Sequence, residues 1–205
     1  MFGMKRRSVS ALMMSIAALA QAAAAQTATA PSVPANLQVP SGNAPFVRGY
    51  AEGTQNYVCL PGEAGLAWRF QGPQATVFLT LRWINGEIRQ QMMTHFLSPS
   101  VAEEGAPARA TWQSSLDTSA VWAKRIADSS DPAYVAPGAI PWFLLQVTGT
   151  KAGPAGGQLL TRTSYIQRVN TAGGVMPQGV CSEVGVIRFV PYTAEYVFYE
   201  PVRQR

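Results

Sequence analysis

His95 is the only histidine in the chain, and so the only side chain whose unperturbed pKa lies near neutrality. Nucleophilic catalysis around it needs a hydroxyl or thiol on one side of the imidazole and an orienting carboxylate on the other. Asp117 and several serines supply those residue types, but the G-x-S-x-G arrangement that exposes a nucleophilic serine is absent. Metal chemistry has less to work with. One His, two Cys and scattered carboxylates give no ligand spacing, so no metal is expected. Neither G-x-G-x-x-G nor a P-loop occurs, and no cofactor is expected either. His95 therefore reads first as a hydrogen-bonded or cleft-lining residue, and second as a general base oriented by Asp117.

Binding chemistry has more candidates. Trp112, Trp122 and Trp142 fall in strand patterns, where most tryptophans are core and one or two can form a flat surface for a sugar. Arg168 and Asn170 stand just before Thr171-Ala172-Gly173-Gly174, and paired glycines allow a backbone to approach a ligand closely, although a plain turn explains them as well. The candidate contacts are His95, Trp112, Asp117, Arg168 and Asn170.

The elements that must carry these residues are short strands. Apolar residues make up 47% of the 205 and charged residues 13%, against about 25% charged in an average soluble domain. That excludes a disordered chain, which needs low hydrophobicity and high net charge. Eighteen Gly and 15 Pro favour many turns over long helices. Asn85-Gly86 predicts a two-residue hairpin turn, with Val77, Leu79, Leu81 and Trp83 alternating before it and Ile88, Gln90 and Met92 after it. That register pairs Trp83 with Ile88 and Leu79 with Met92. It also sets Arg82 opposite Arg89, and it turns His95 away from the apolar stripe. Further strands are expected at 46–51, 54–59, 67–70, 110–115, 120–126, 142–147, 159–169, 186–190 and 195–199, with an exposed loop over 98–109. The 142–147 run is almost continuously apolar, as in a strand covered on both faces. The expected fold is all-β: an antiparallel sandwich or partly closed barrel of about nine or ten short strands.

Residues 1–25 run from Lys5, Arg6 and Arg7 through an apolar stretch to small residues ending at Ala25, the order of a secretory signal peptide. Without it the formal charge drops from +5 to +2, and the remaining basic residues are scattered, which argues against nucleic acid as a partner. No later stretch is long enough to span a membrane. Residues 26–43 read as an Ala/Thr/Pro-rich lead-in, and 44–205 as a single β domain. Export to a periplasmic or extracellular setting permits a disulfide between Cys59 and Cys181.

Several stretches taken together resemble one family. They include Gln55-Asn56-Tyr57-Val58-Cys59, Thr94-His95-Phe96, Thr111-Trp112-Gln113-Ser114 and Ile140-Pro141-Trp142-Phe143-Leu144-Leu145. The longest are Tyr165-Ile166-Gln167-Arg168-Val169-Asn170-Thr171-Ala172-Gly173-Gly174 and Val190-Pro191-Tyr192-Thr193-Ala194-Glu195-Tyr196-Val197-Phe198-Tyr199. Over residues 44–199 the chain is similar to the secreted bacterial and fungal family catalogued as domain of unknown function 3455. The resemblance implies export and no established activity. Some fungal members carry a malate dehydrogenase label, which the absence of a dinucleotide fingerprint here does not support. Residues 97–110 lengthen the family's usual link between the His-aromatic pair and Thr-Trp, and Asp117-Thr118-Ser119 replaces its Asp-Gly-Ser.

The leading expectation is a non-catalytic module that binds a small molecule, glycan or cell-surface component. A hydrolase-type enzyme using His95 is the alternative, and a structural or matrix protein with an exposed apolar patch is the second.

Overall fold

The computed structural model describes residues 28–99 and 107–202. The export signal expected at 1–25 and the Glu103-Glu104-Gly105 part of the expected loop lie outside the described residues. Eight strands follow in order: β1 (Asn43–Gly62), β2 (Gly65–Trp83), β3 (Gly86–Ser98), β4 (Arg109–Ser114), β5 (Ala120–Ser129), β6 (Trp142–Lys151), β7 (Tyr165–Gly173) and β8 (Ile187–Pro201). Each pairs antiparallel with its neighbours in sequence, and β8 pairs with β1, so the sheet closes into a ring. Closure pairs every strand on both sides over part of its length, and the tip of the β2–β3 hairpin, residues 79–91, pairs only within itself. An eight-stranded ring is just wide enough for its side chains to fill or to hold one small ligand.

The fold is all-β as expected, with eight strands rather than nine or ten because three pairs of expected strands are each continuous. Gly and Pro end strands in most contexts, yet here the ladder runs through them. β2 carries Gly72-Pro73 opposite Gln55 and Asn56 of β1, with an irregularity in register at Asn56/Tyr57 absorbing the proline. Gly72 has φ +151°, and a β carbon there would lie 2.9 Å from Leu97 Cγ. β8 likewise runs through Pro191, which faces Thr54.

Two further expectations are corrected. The β2–β3 turn is Ile84-Asn85, one residue earlier than Asn85-Gly86, since Trp83 pairs with Gly86. The shift sets Arg82 in register with Glu87, where the expected register had two arginines facing each other. It also frees Arg89 to reach the Glu52 carboxylate at 2.9 Å and to lie over the Phe78 ring. Ile84, 96% exposed, bears the cost. Residues 159–164 are a turn and not the first half of a strand. The Leu159 amide donates to Asp117 Oδ2 at 2.7 Å and the Leu160 amide to Ser119 Oγ at 3.1 Å, which draws Leu160 into the core.

The main core lies inside the ring. Alternate residues of β8, Tyr192, Ala194, Tyr196 and Phe198, meet Val47 and Ala51 of β1, Val77 of β2 and Met93 of β3. A second cluster lies outside it, where the 3₁₀ turn Ala35–Leu37 docks. Leu37 packs on Trp142, Leu144 and Val169, and its carbonyl accepts from Gln167 Nε2 at 2.7 Å. β6 is therefore covered on both faces, Trp142 and Leu144 outward and Leu145 inward, as its apolar run requires. Burying Leu37 fully contributes about 1.5–3 kcal/mol. Cys59 and Cys181 are bonded, their Cα atoms 5.8 Å apart across 122 residues of sequence. No helix among the described residues is long and apolar enough to cross a membrane.

Candidate functional site

Two rungs of the ring place inward side chains around one space. Ala75, His95, Trp112 and Val121 sit in register across β2, β3, β4 and β5. Tyr196, Arg168 and Phe143 do the same across β8, β7 and β6. His95 points inward, contrary to the expected register, because β3 has an extra residue against β2 where the pairing passes from Phe78–Gln91 to Val77–Met93. One inserted residue reverses the in–out alternation. Met92 and His95 are both buried as a result.

A cavity of about 290 Å³ lies between the rungs. Its aromatic side is tightly ordered. The His95 and Trp112 rings stack 4.1 Å apart at 8°, and the Tyr196 ring meets both edge-on at 5.2 and 5.3 Å. His95 Nδ1 lies 2.9 Å from the Thr111 carbonyl, which can only accept. Nδ1 therefore carries the proton and Nε2 the lone pair. Burial, reinforced by the Arg168 charge and opposed by the Thr111 bond, holds the His95 pKa down at about 3.

The opposite side is cationic. Arg168 is 8% exposed. Its Nε and Nη2 donate to the Pro141 carbonyl at 3.2 and 2.8 Å, and its guanidinium lies 3.7 Å from the Phe143 ring centroid. Arg125 approaches the same ring at 5.0 Å. Burial lowers the Arg168 pKa, the hydroxyls of Tyr196 and Tyr192 raise it and Arg125 lowers it, but a guanidinium stays charged in proteins. Burial raises the pKa of both tyrosines, so they are neutral near pH 7 and do not balance that charge. No acidic side chain among the described residues lines the cavity, and Arg168 has no ion-pair partner among them.

Two lining residues hold polar ends that are shut away from the open space. Gln55 is 3% exposed and Trp112 1%; Trp112 Nε1 has no hydrogen-bond partner among the described residues, and the Gln55 amide meets the Tyr192 hydroxyl. The remaining lining is apolar, with Leu97, Ile140 and Leu145 deeper and Phe70 exposed at the rim.

Of the residues singled out from sequence, His95, Trp112 and Arg168 meet at this cavity, and Asp117 and Asn170 do not. Asp117 sits in the β4–β5 turn, where Oδ1 accepts from the Ser119 amide and hydroxyl and Oδ2 from the Leu159 amide. Burial works against its charge, but these bonds outweigh it and hold its pKa at about 2. Its carboxylate fastens a turn and does not orient His95. Asn170, exposed at φ +50°, forms the irregularity between Val169 and Ala172 in β7. Asparagine tolerates that region better than most residues, and the bend turns Thr171 inward to bond the Ile140 carbonyl at 2.6 Å. Gly173 and Gly174, both at positive φ, close the chain beneath Tyr192 and Gln55. Trp142 belongs to the outer cluster and Trp122 lies under Arg109, so neither offers a flat sugar-binding surface.

Sequence reasoning missed Gln55, Tyr57, Phe143 and Tyr196. Tyr196 was available in the alternation Tyr192, Ala194, Tyr196, Phe198, which marks one face of a strand.

The model of the family described as Protein of unknown function (DUF3455) matches residues 40–200. The chain belongs to that family. No curated protein and no solved structure matches it. The matched segment contains every residue of the cavity, from Gln55 to Tyr196. A stacked aromatic side and a buried cation can grip a small molecule. As a base, an imidazole with a pKa near 3 and no orienting carboxylate is weak at neutral pH.

Proposed function

We propose that this protein is a non-catalytic binding module that takes a small organic molecule into the end of its barrel. The observation that carries this reading is a cavity of about 290 Å³ lined by the buried Arg168 guanidinium and the stacked His95–Trp112 rings. That volume is at the small end of ligand sites, which combine apolar walls with a few convergent polar groups. A buried guanidinium with no acidic partner is costly, and a ligand acceptor relieves that cost. Export belongs to the same reading, with the 1–25 segment removed and the Cys59–Cys181 bond persisting in an oxidising compartment. Catalysis with His95 as base has weaker support, given the low basicity of its ring and the engagement of Asp117 elsewhere.

Isothermal titration against small aromatic, alicyclic and sugar ligands tests the reading, with Ala110→Phe as the control that fills the cavity. The expected result is at least one ligand binding at submillimolar Kd and lost in Ala110→Phe while the melting profile is kept. Binding that survives the filled cavity refutes the reading. So does turnover of a ligand that depends on His95.

A further inference from the structure

We infer that the ligand is an organic anion, a carboxylate on a flat apolar body, with Arg168 as the group that reads its charge. This rests on the cavity being a binding site and goes on to name the chemical class. The charged groups of the lining are donors: the Arg168 guanidinium and, towards the mouth, the exposed Arg125. Acceptors are few. The Pro141 carbonyl is taken by Arg168, and the Gly174 carbonyl by the Tyr57 hydroxyl at 2.7 Å. His95 Nε2 is left as a lone pair in a buried ring.

Removing a cation from water is costly unless an opposite charge meets it, and no carboxylate lines the cavity among the described residues. Two of the five N–H donors of Arg168 go to Pro141 and another meets the Tyr196 hydroxyl, which leaves donors over. A guanidinium presents its donors in a planar fork suited to carboxylate oxygens. The fork is held rigid by the Pro141 carbonyl on one edge and the Phe143 face below it, so little side-chain freedom is lost on binding. The rest of the surface specifies the body of the ligand. Leu97, Ile140, Leu145 and the His95–Trp112 stack suit a ring, whereas an inorganic ion would leave those walls unfilled.

The test uses matched acid–amide pairs on the purified chain: benzoate and benzamide, 2-naphthoate and 2-naphthamide, cyclohexanecarboxylate and its amide, with acetate and phosphate as small-anion controls. At least one ring acid is expected to bind ten-fold or more tighter than its amide and than acetate or phosphate. Arg168→Lys, which keeps a positive charge but not the planar fork, should shrink the acid–amide ratio. Arg168→Gln should abolish the preference for the acid, and if that variant does not fold, the acid–amide comparison in the wild-type protein still decides. Amides that bind as well as their acids overturn the anion assignment and leave the cavity reading standing. Tightest binding by acetate or phosphate overturns the ring-bearing class. If no acid and no amide binds below 10 mM, the anion assignment falls, and the cavity reading then rests on the wider ligand panel.

Discussion

Because His95 is the only histidine, a single substitution isolates a whole segment of the pH–stability curve. Its ring is buried and neutral, with a pKa held at about 3 against an ordinary value of 6.5. Between those two values the unfolded chain binds a proton that the folded chain does not, so stability rises with pH across that window. Read downward, stability is complete above pH 6.5 and drains as the pH falls towards 3. Each pKa unit of difference corresponds to about 1.4 kcal/mol, so the protein should lose about 2 kcal/mol between pH 7 and 5 and about 3 by pH 4 from this residue alone. Asp117, held at about 2 against 3.8, acts only below pH 4, which leaves the upper window to the imidazole. Urea denaturation of wild type and His95→Phe at pH 7, 6, 5 and 4 measures the difference. His95→Phe keeps a ring against Trp112 but loses the bond to Thr111. It should be less stable than wild type at pH 7 and should close the gap as pH falls. Two curves that stay parallel from pH 7 to 4 would show that the imidazole is solvated or protonated in the folded state, and the neutral, stacked role given to it would be wrong.

Three other expectations follow from single contacts. Replacing both Cys59 and Cys181 with Ala opens a loop of 122 residues, worth about 5 kcal/mol in the chain-entropy account, and should lower the calorimetric Tm by about 10–20 °C for a chain of this size. Asp117→Ala leaves the Leu159 and Ser119 amides without their acceptor and should cost about 1–3 kcal/mol. The wild type should show an acid-destabilising limb from this carboxylate below pH 4, absent in the variant. Gln167→Leu breaks the bridge from the Leu37 carbonyl to the Tyr199 hydroxyl. It should cost a similar amount and speed amide exchange around residues 35–39, read by mass spectrometry.

The architecture was legible because its signals are local. Alternation in residues 77–83 and 195–199 and the two-sided apolar run at 142–147 each name a strand from a few neighbours. What could not be read is set by contacts between distant residues. The extra residue near Met92 that turns His95 inward depends on pairing with β2 and again with β4. The Ile84-Asn85 turn in place of Asn85-Gly86 goes with a contact to distant β1, where Glu52 meets Arg89. Leu159 and Leu160 alternate like a strand, yet the Asp117 turn captures their amides. Arg168 and Trp112 were identified from residue type and local motif. The tyrosine, glutamine and phenylalanine that complete the cavity carry no local mark separating them from ordinary core.

The location of the cavity follows from how the ring fills itself. Where β1, β2 and β8 meet, the inward positions are small, with Gly49, Ala51, Gly53, Ala75 and Ala194 paired across adjoining strands. Those positions give the Trp112, Tyr196 and Phe198 rings room to reach across, and the rings fill the middle of the lumen with edge-on contacts. Towards the 140–141 strap the inward residues become Gln55, Phe143 and Arg168, and the polar ends of Gln55 and Arg168 cannot close a core without partners. An apolar residue at position 168 would let that end collapse like the middle, and the Pro141 carbonyl would lose its donor. The arginine thus holds the strap in place and keeps the space beneath it from closing, which couples stability to an accessible site. Arg168→Met separates the two: if the variant holds the strap and shrinks the cavity without loss of Tm, the cation is retained for what it binds and not for the fold.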